Sequence, residues 1–239
     1  MGWAEIFKNL FALKKPVLGA MTEVHAIQKL DSIGIKTTPL IAYGQQGCNP
    51  ASMQSFVMTE DLGDIVTVEE LCGNWQNYCA DVRQSLMKAM AELASQMHRA
   101  GLCHRDFYLC HFVIKKQDLN LEYLVFSEDP VSSEKPVPCE KPASSKGLSV
   151  ENLHLIDLHR MMQGQARAGK AVMKDIAGLY FSALQAGLTA QDLSVFKQYY
   201  LPQNADFWVQ VESRAQALLN KFNSHKFQQR LQKEKSAIR

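Results

Sequence analysis

The chain has 239 residues, 46% of them hydrophobic, with 26 Lys and Arg against 24 Asp and Glu. That length can bury a proper core as one domain or two small lobes, and the apolar content excludes a disordered chain. The near-balanced charge gives no general affinity for polyanions, and no uncharged apolar run reaches the ~18 residues of a membrane-spanning helix.

Residues Trp3–Leu13 place Trp3, Ile6, Phe7, Leu10 and Phe11 at helical spacing, without the apolar core and cleavage site of a secretory signal. Thr22–Leu30 is a second helical pattern, closed by Gly34. Ile35–Tyr43 and Ser55–Thr59 read as strands around a turn at Gly47–Pro50, and a boundary is expected near Asp61–Gly63. Asp81–Ala100 carries Val82, Leu86, Met90, Leu93 and Met97 on one face and stops at Gly101, a natural C-terminal cap. Phe112–Ile114 and Leu153–Ile156 read as short strands. Between them, residues 127–149 hold Pro130, Pro136, Pro138 and Pro142 among serines, which reads as a flexible insertion. Asp175–Leu184 is helical, and Thr189 with Asp192 marks another helix start. The last helical run begins near Ala205 and ends in a basic tail. The six cysteines (Cys48, Cys72, Cys79, Cys103, Cys110 and Cys139) form no CxxC pair, so they read as reduced thiols of a cytosolic protein.

The chemistry concentrates in His104-Arg105-Asp106-Phe107-Tyr108-Leu109-Cys110-His111, between a capped helix and a strand. Downstream, Asp157 ends a short apolar strand in Ile156-Asp157-Leu158-His159-Arg160. Two carboxylates in loops at strand ends suit phosphoryl transfer: one accepts the proton of an attacking hydroxyl, the other holds the divalent metal that bridges nucleotide phosphates. A bare His-Arg-Asp triplet is weak evidence, but a long helix before it, a metal-type residue five positions after the aspartate and a second strand-end aspartate make a specific set. The bland alternative is a loop aspartate capping a helix and a second one at the surface.

These motifs resemble the lipopolysaccharide core heptose kinase family, a branch of the protein-kinase-like superfamily. The resemblance also rests on Trp3, Glu5, Ile6, Lys8, Asn9 and Leu10 at the start, on Pro16-Val17-Leu18-Gly19-Ala20 and Ser55-Phe56, and on Thr59-Glu60-Asp61-Leu62 and Lys174-Asp175 before Gly178-Leu179-Tyr180. It implies an α+β, protein-kinase-like bilobal fold: a truncated N-lobe over residues 1–62 and a mainly helical C-lobe over 63–239. The implied reaction is ATP- and Mg2+-dependent phosphorylation of a heptose in the lipopolysaccharide inner core, at the cytoplasmic face of the inner membrane. Asp106 would be the base, supported by Arg105 and Asp175, with Asp157 and His111 holding metal. Glu60 and Leu62 would offer backbone groups to adenine from a hinge, or form an exposed strand end. Asp175 would brace the catalytic loop, cap its own helix, or both. Glu23 matches the helix glutamate that pairs with the nucleotide-binding lysine.

That lysine and the glycine-rich hairpin would lie upstream of Trp3, and Lys8, Lys14, Lys15, Lys29 and Lys36 all lack an apolar strand context. The chain as it stands is therefore expected to be impaired in transfer, either as part of a longer kinase or as a nucleotide- or lipid-binding pseudokinase. A related kinase acting on the octulosonic acid sugar (Kdo) is the alternative enzyme. Arg160, Arg167, Lys170 and Lys174 form a basic strip that either meets an anionic lipid A and inner-core acceptor or is a solvated loop. Tyr108, beside the base, would touch substrate or fill the loop. The Trp3–Leu13 stripe would either enter the membrane interface or pack on its own domain, and no motif supports nucleic-acid binding.

Overall fold

The computed structural model describes residues 19–47, 49, 52–75, 78–119, 147–166 and 169–237. The Trp3–Leu13 segment, Arg167, Cys48, Cys139 and all of the 127–149 stretch before Gly147 lie outside them. Helix α1 (Met21–Asp31) buries Val24, Ala26, Ile27 and Leu30, the stripe its periodicity predicts, and turns off at Gly34, whose φ of 77° suits glycine. The chain then runs across the molecule before forming a strand. Lys36 bridges to His154, and its carbonyl accepts from the Leu155 N–H at 2.9 Å. The strand expected from Ile35 thus begins only at Leu40, because Lys36 is already paired elsewhere and Pro39 has no N–H to give a ladder.

Strands β1 (Leu40–Gln46) and β2 (Gln54–Thr59) form a two-stranded antiparallel sheet, with Tyr43 opposite Val57. Leu40 and Val57 pack against the core, while Ile41, Tyr43, Phe56 and Met58 are exposed, and a bulge between Leu40 and Ala42 interrupts the alternation. After Glu60–Gly63, strand β3 (Ile65–Thr67) opens a second sheet in the order β3-β4-β5, with β4 (Phe112–Lys115) central and β5 (Leu153–Leu155) beyond it, all antiparallel. β3 and helix α2 (Val68–Cys72) were not anticipated from the sequence, although Thr67 and Glu70 make a reciprocal capping box.

Helix α3 (Ala80–Arg99) is the centre of the larger part: Leu86, Met90, Leu93 and Met97 are fully buried, and Gly101 with φ 73° ends it as its sequence implies. Helix α4 (Lys170–Gln185) starts five residues before Asp175, because Val172 extends the buried stripe of Ile176, Leu179 and Ala183 back by one turn. Asp175 is therefore not a helix cap; Gly169 occupies that position. Helices α5 (Ala190–Tyr199), α6 (Ala205–Asn223) and α7 (His225–Ala237) complete the chain, the break at Ser224 dividing what periodicity reads as one run. Gly147–Ser149, assigned by composition to the insertion, are anchored: Leu148 packs on the core and the Ser149 N–H donates to Asn152 Oδ1 at 2.9 Å. No helix of the described residues is long and apolar enough to cross a membrane.

One polar bond ties the helical layers together. The Trp75 indole N–H donates to Asp192 Oδ2 at 2.9 Å, and the Thr189 N–H and hydroxyl donate to the same oxygen at 2.9 and 2.7 Å. Burial pushes the Asp192 pKa up, but the bonds from Thr189 and Trp75 outweigh it and hold the carboxyl below its ordinary value. A depressed folded-state pKa means stability that is fully present above the unfolded pKa of about 3.9 and is lost as pH falls through the folded one. Asp192→Asn should cost about 2 kcal/mol in urea denaturation at pH 7, and the gap to wild type should narrow below about pH 4.

Candidate active site

Two loops meet below the β4–β5 hairpin. The first, Cys103–Tyr108, leaves α3 through Gly101; the second, Ile156–Met162, leaves β5. They are stitched by a two-way backbone bridge: the Cys103 N–H donates to the Met162 carbonyl at 2.9 Å, and the Met162 N–H donates back at 2.8 Å. The buried side chains of Leu158 and Met161 root the second loop in the core. His104 adds a third link, its Nε2 bonding the Ile156 carbonyl at 2.9 Å. Burial lowers the His104 pKa, so its neutral ring is a fixed donor to that carbonyl. Sequence reading gave His104 no role of its own; its place before Arg-Asp was the available signal.

The first loop is held from beneath by Asp175, 2% exposed in the middle of α4. Its Oδ2 accepts the His104 N–H at 2.6 Å and its Oδ1 the Arg105 N–H at 2.9 Å. Arg105 enters the site through this backbone group, and its φ of 75° turns the chain that follows toward Asp106. The loop fits closely on the helix at Gly178, where a Cβ would lie 3.1 Å from the Phe107 carbonyl and 3.3 Å from the Tyr108 ring. Tyr108 packs edge-on against Phe181 with ring centroids 6.2 Å apart and stays half-buried. His98 completes the support, with Nδ1 2.7 Å from the Tyr200 hydroxyl and Nε2 3.4 Å from Asp175 Oδ2. Cys103 lies close enough to His98 and Asp175 to suggest a metal trio. The histidine and carboxylate are instead used as a brace, and burial pushes the Cys103 thiol pKa up, so no thiolate is offered.

Above the brace, Asp106 and Asp157 come together through His111. The His111 Nδ1–H donates to the Asp106 main-chain carbonyl at 2.5 Å, which fixes the ring and turns Nε2 toward Asp157 Oδ2, 3.3 Å away. The ring is clamped by stacking on His104 at 5.4 Å. A carboxylate oxygen and an imidazole nitrogen so placed can share one cation, a fit of donor chemistry and not only of spacing. Asp157 has φ 61°; it and Arg105 are the only non-glycine residues with positive φ among the described residues, and both stand in this site. His159 Nδ1 bonds the second oxygen, Asp157 Oδ1.

Arg160 is the unexpected neighbour. Its Nη1 donates to both oxygens of Asp106, at 2.8 and 2.7 Å. The residue read from sequence as part of an acceptor-facing strip is thus tied to the loop aspartate. Lys170 and Lys174 remain exposed on the first turns of α4, apart from the cluster. Glu23 reaches toward the site from α1: burial raises its pKa, with His159 opposing and Asp157 adding to the shift. Glu60 and Leu62 touch none of these groups. The Glu60 N–H donates to the Pro39 carbonyl at 2.8 Å, while the Glu60 carbonyl and Leu62 N–H have no hydrogen bond among the described residues.

The lipopolysaccharide kinase (Kdo/WaaP) family model matches residues 1–126, more than half of the chain. The chain belongs to this family. Similar proteins include the lipopolysaccharide core heptose(I) kinase WaaP of Pseudomonas aeruginosa, 37% identical over 202 residues, covering 84% of this chain and 66% of that protein. The protein of the same name from Escherichia coli is 35% identical over 198 residues, covering 82% of this chain and 65% of its own length. The chain therefore spans just under two thirds of these Kdo/WaaP relatives. A solved structure described as WaaP in complex with acyl carrier protein matches with a TM-score of 0.64 and 32% identity, over 84% of this chain and 77% of that one. The fold is accordingly the α+β, kinase-like one expected from the motifs.

Removing the Asp175 carboxylate leaves two buried N–H groups without an acceptor. Asp175→Ala should cost about 3 kcal/mol in urea denaturation, and exchange of the His104 and Arg105 amides should accelerate well beyond that of the α3 amides.

Proposed function

We propose that this chain carries the catalytic apparatus of an ATP- and magnesium-dependent kinase that phosphorylates a heptose hydroxyl of the lipopolysaccharide inner core. The observation that carries the reading is the Asp106–His111–Asp157 link, in which one imidazole bonds the Asp106 main-chain carbonyl and faces the Asp157 carboxylate. Membership of the Kdo/WaaP family and the heptose kinase activity of its relatives support the substrate class.

Asp106 accepts the proton of the sugar hydroxyl and aims the oxygen at phosphorus; each of its oxygens keeps a second lone pair beyond the bond from Arg160. Asp157 and His111 hold the metal, whose bound charge would neutralise the nucleotide phosphates. Arg105 and Asp175 keep the loop in position. The Glu60 carbonyl and Leu62 N–H, without a hydrogen bond among the described residues, form the hinge edge for adenine, so that residues 1–62 act as the small lobe and 63–239 as the large one. Glu23 orients the phosphate side of the cleft from α1. Lys170 and Arg167 lie on the chain segment that would meet the anionic inner core and lipid A, at the cytoplasmic surface of the inner membrane.

The test compares wild type, Asp106→Asn and Asp157→Asn with heptose-bearing and Kdo-bearing lipid A acceptors, alongside thermal shifts with ATP and Mg2+. The expected result is transfer to the heptose acceptor, slow in the chain as it stands and lowered a further ~100- to 10,000-fold by Asp106→Asn with the nucleotide shift retained. Asp157→Asn should remove the magnesium dependence of that shift. Transfer to Kdo alone would replace the substrate; a nucleotide shift without any transfer would make the chain a binding module; wild-type rates in Asp106→Asn would end the base role.

A further inference from the structure

Among the described residues, Arg160 is the only Lys or Arg in hydrogen-bond contact with Asp106, Asp157 or Glu23. Its position is built, not accidental. The Cys103–Met162 bridge sets the two loops in register, Leu158 and Met161 are buried on either side, and the Gln165 N–H bonds the Gly101 carbonyl at 2.9 Å just beyond. The segment therefore presents residue 160 across from residue 106.

The way it binds is informative. An arginine used only to pair a carboxylate usually lies fork to fork, two nitrogens on two oxygens. Here a single Nη1 serves both oxygens, and the Nε and Nη2 groups bond nothing among the described residues. The Arg160 side chain is 41% exposed against 19% for Asp106, so its free edge faces the open side of the cleft. A planar cation with unspent N–H groups, held at a proton-accepting carboxylate, is a phosphate-binding arrangement.

We propose, resting on the phosphoryl-transfer reading, that Arg160 is a catalytic residue that spans Asp106 and the transferring phosphoryl group. Nη1 stays on the carboxylate while the remaining N–H groups donate to an oxygen of the terminal phosphate. The acceptor hydroxyl gives its proton to Asp106 and forms the new O–P bond; the bond to the leaving nucleoside diphosphate breaks with its electron pair on the diphosphate oxygen. Arg160 changes no bond. It screens the repulsion between the carboxylate and the incoming phosphoryl group, and stabilises charge on that group's oxygens.

The test has a binding arm and a kinetic arm on the full chain. Calorimetry measures Mg2+-bound ADP and a non-hydrolysable ATP analogue with wild type, Arg160→Gln and Arg160→Lys. Arg160→Gln should weaken the analogue about tenfold and ADP less than twofold, because only the analogue carries the terminal phosphate. In transfer assays it should lower kcat about 100-fold with the acceptor KM within threefold, and Arg160→Lys should recover about tenfold of the loss. Equal weakening of both nucleotides, or a loss confined to acceptor KM, overturns the proposal and returns Arg160 to an acceptor-binding or structural role. No nucleotide binding and no turnover, to sugar or to water, overturns both the proposal and the kinase reading. Wild-type rates in Asp106→Asn would remove the base while the ADP-to-analogue comparison still decides Arg160.

Discussion

The carboxylate of Asp175 is the constraint on which the rest of the site depends. It is buried inside a helix and accepts two consecutive main-chain N–H groups, from His104 and Arg105. Consecutive N–H groups point to opposite sides of an extended chain, so they can converge only if the backbone reverses between them. The torsions at His104 bring them together, and Arg105 then turns the chain with a φ of 75°, which costs on the order of 1 kcal/mol or more for a non-glycine residue. The buried charge offsets that cost, because losing the loop conformation would leave the carboxylate without its donors in a water-poor interior. The direction of Asp106 follows from the bend, since Asp106 is the next residue.

From there the second loop is positioned by the first. His104, fixed at its N–H by Asp175, holds the Ile156 carbonyl through its ring; the Cys103–Met162 bridge closes the far side. Asp157 is confined between these two attachments, and His111 fills the remaining gap with one nitrogen on the Asp106 main chain and the other facing Asp157. Each residue of the cluster thus gets its position from a main-chain bond to a neighbouring segment rather than from its own loop. This explains how a loop surface can hold a geometry that is ordinarily the privilege of helices and strands.

What the sequence made legible, and what it hid, follow from that dependence. Helix faces were readable: the buried stripes of α1 and α3, the glycine stops at Gly34 and Gly101 and the Thr189–Asp192 box all lie where local rules put them. The spacing of Asp106, His111 and Asp157 was readable too, because strand-end loops advertise themselves by flanking apolar runs. Three features were not. Ile35–Pro39 has strand composition but is captured by β5, a partner more than a hundred residues away. Local rules alone read Asp175 as a cap; its bracing role came only through the family resemblance, because the tertiary position of His104 is what makes a mid-helix carboxylate useful. Arg160 reads as one of several basic residues in a strip, and nothing local distinguishes the one that the Cys103–Met162 bridge turns inward.

The charge balance of the cluster completes the argument. Asp106 and Asp157 sit in the site and Glu23 faces it from α1, and among the described residues the one permanent cation bonded to these carboxylates is Arg160, whose Nη1 is already engaged. With neutral imidazoles, such a cleft repels a polyphosphate, and low-dielectric walls strengthen the repulsion. A phosphoryl donor can therefore enter only with compensating positive charge. The residues divide that need into two places: Asp157 with His111 offers a cation seat on one side, and the free edge of Arg160 offers fixed positive charge on the other. In the proposed reaction Asp106 needs that screening most, because there it would take up a proton while a negatively charged group approaches. A carboxylate pair without the guanidinium would bind metal but leave the base facing phosphate unshielded, whereas the guanidinium alone would bind phosphate with nothing to activate the acceptor.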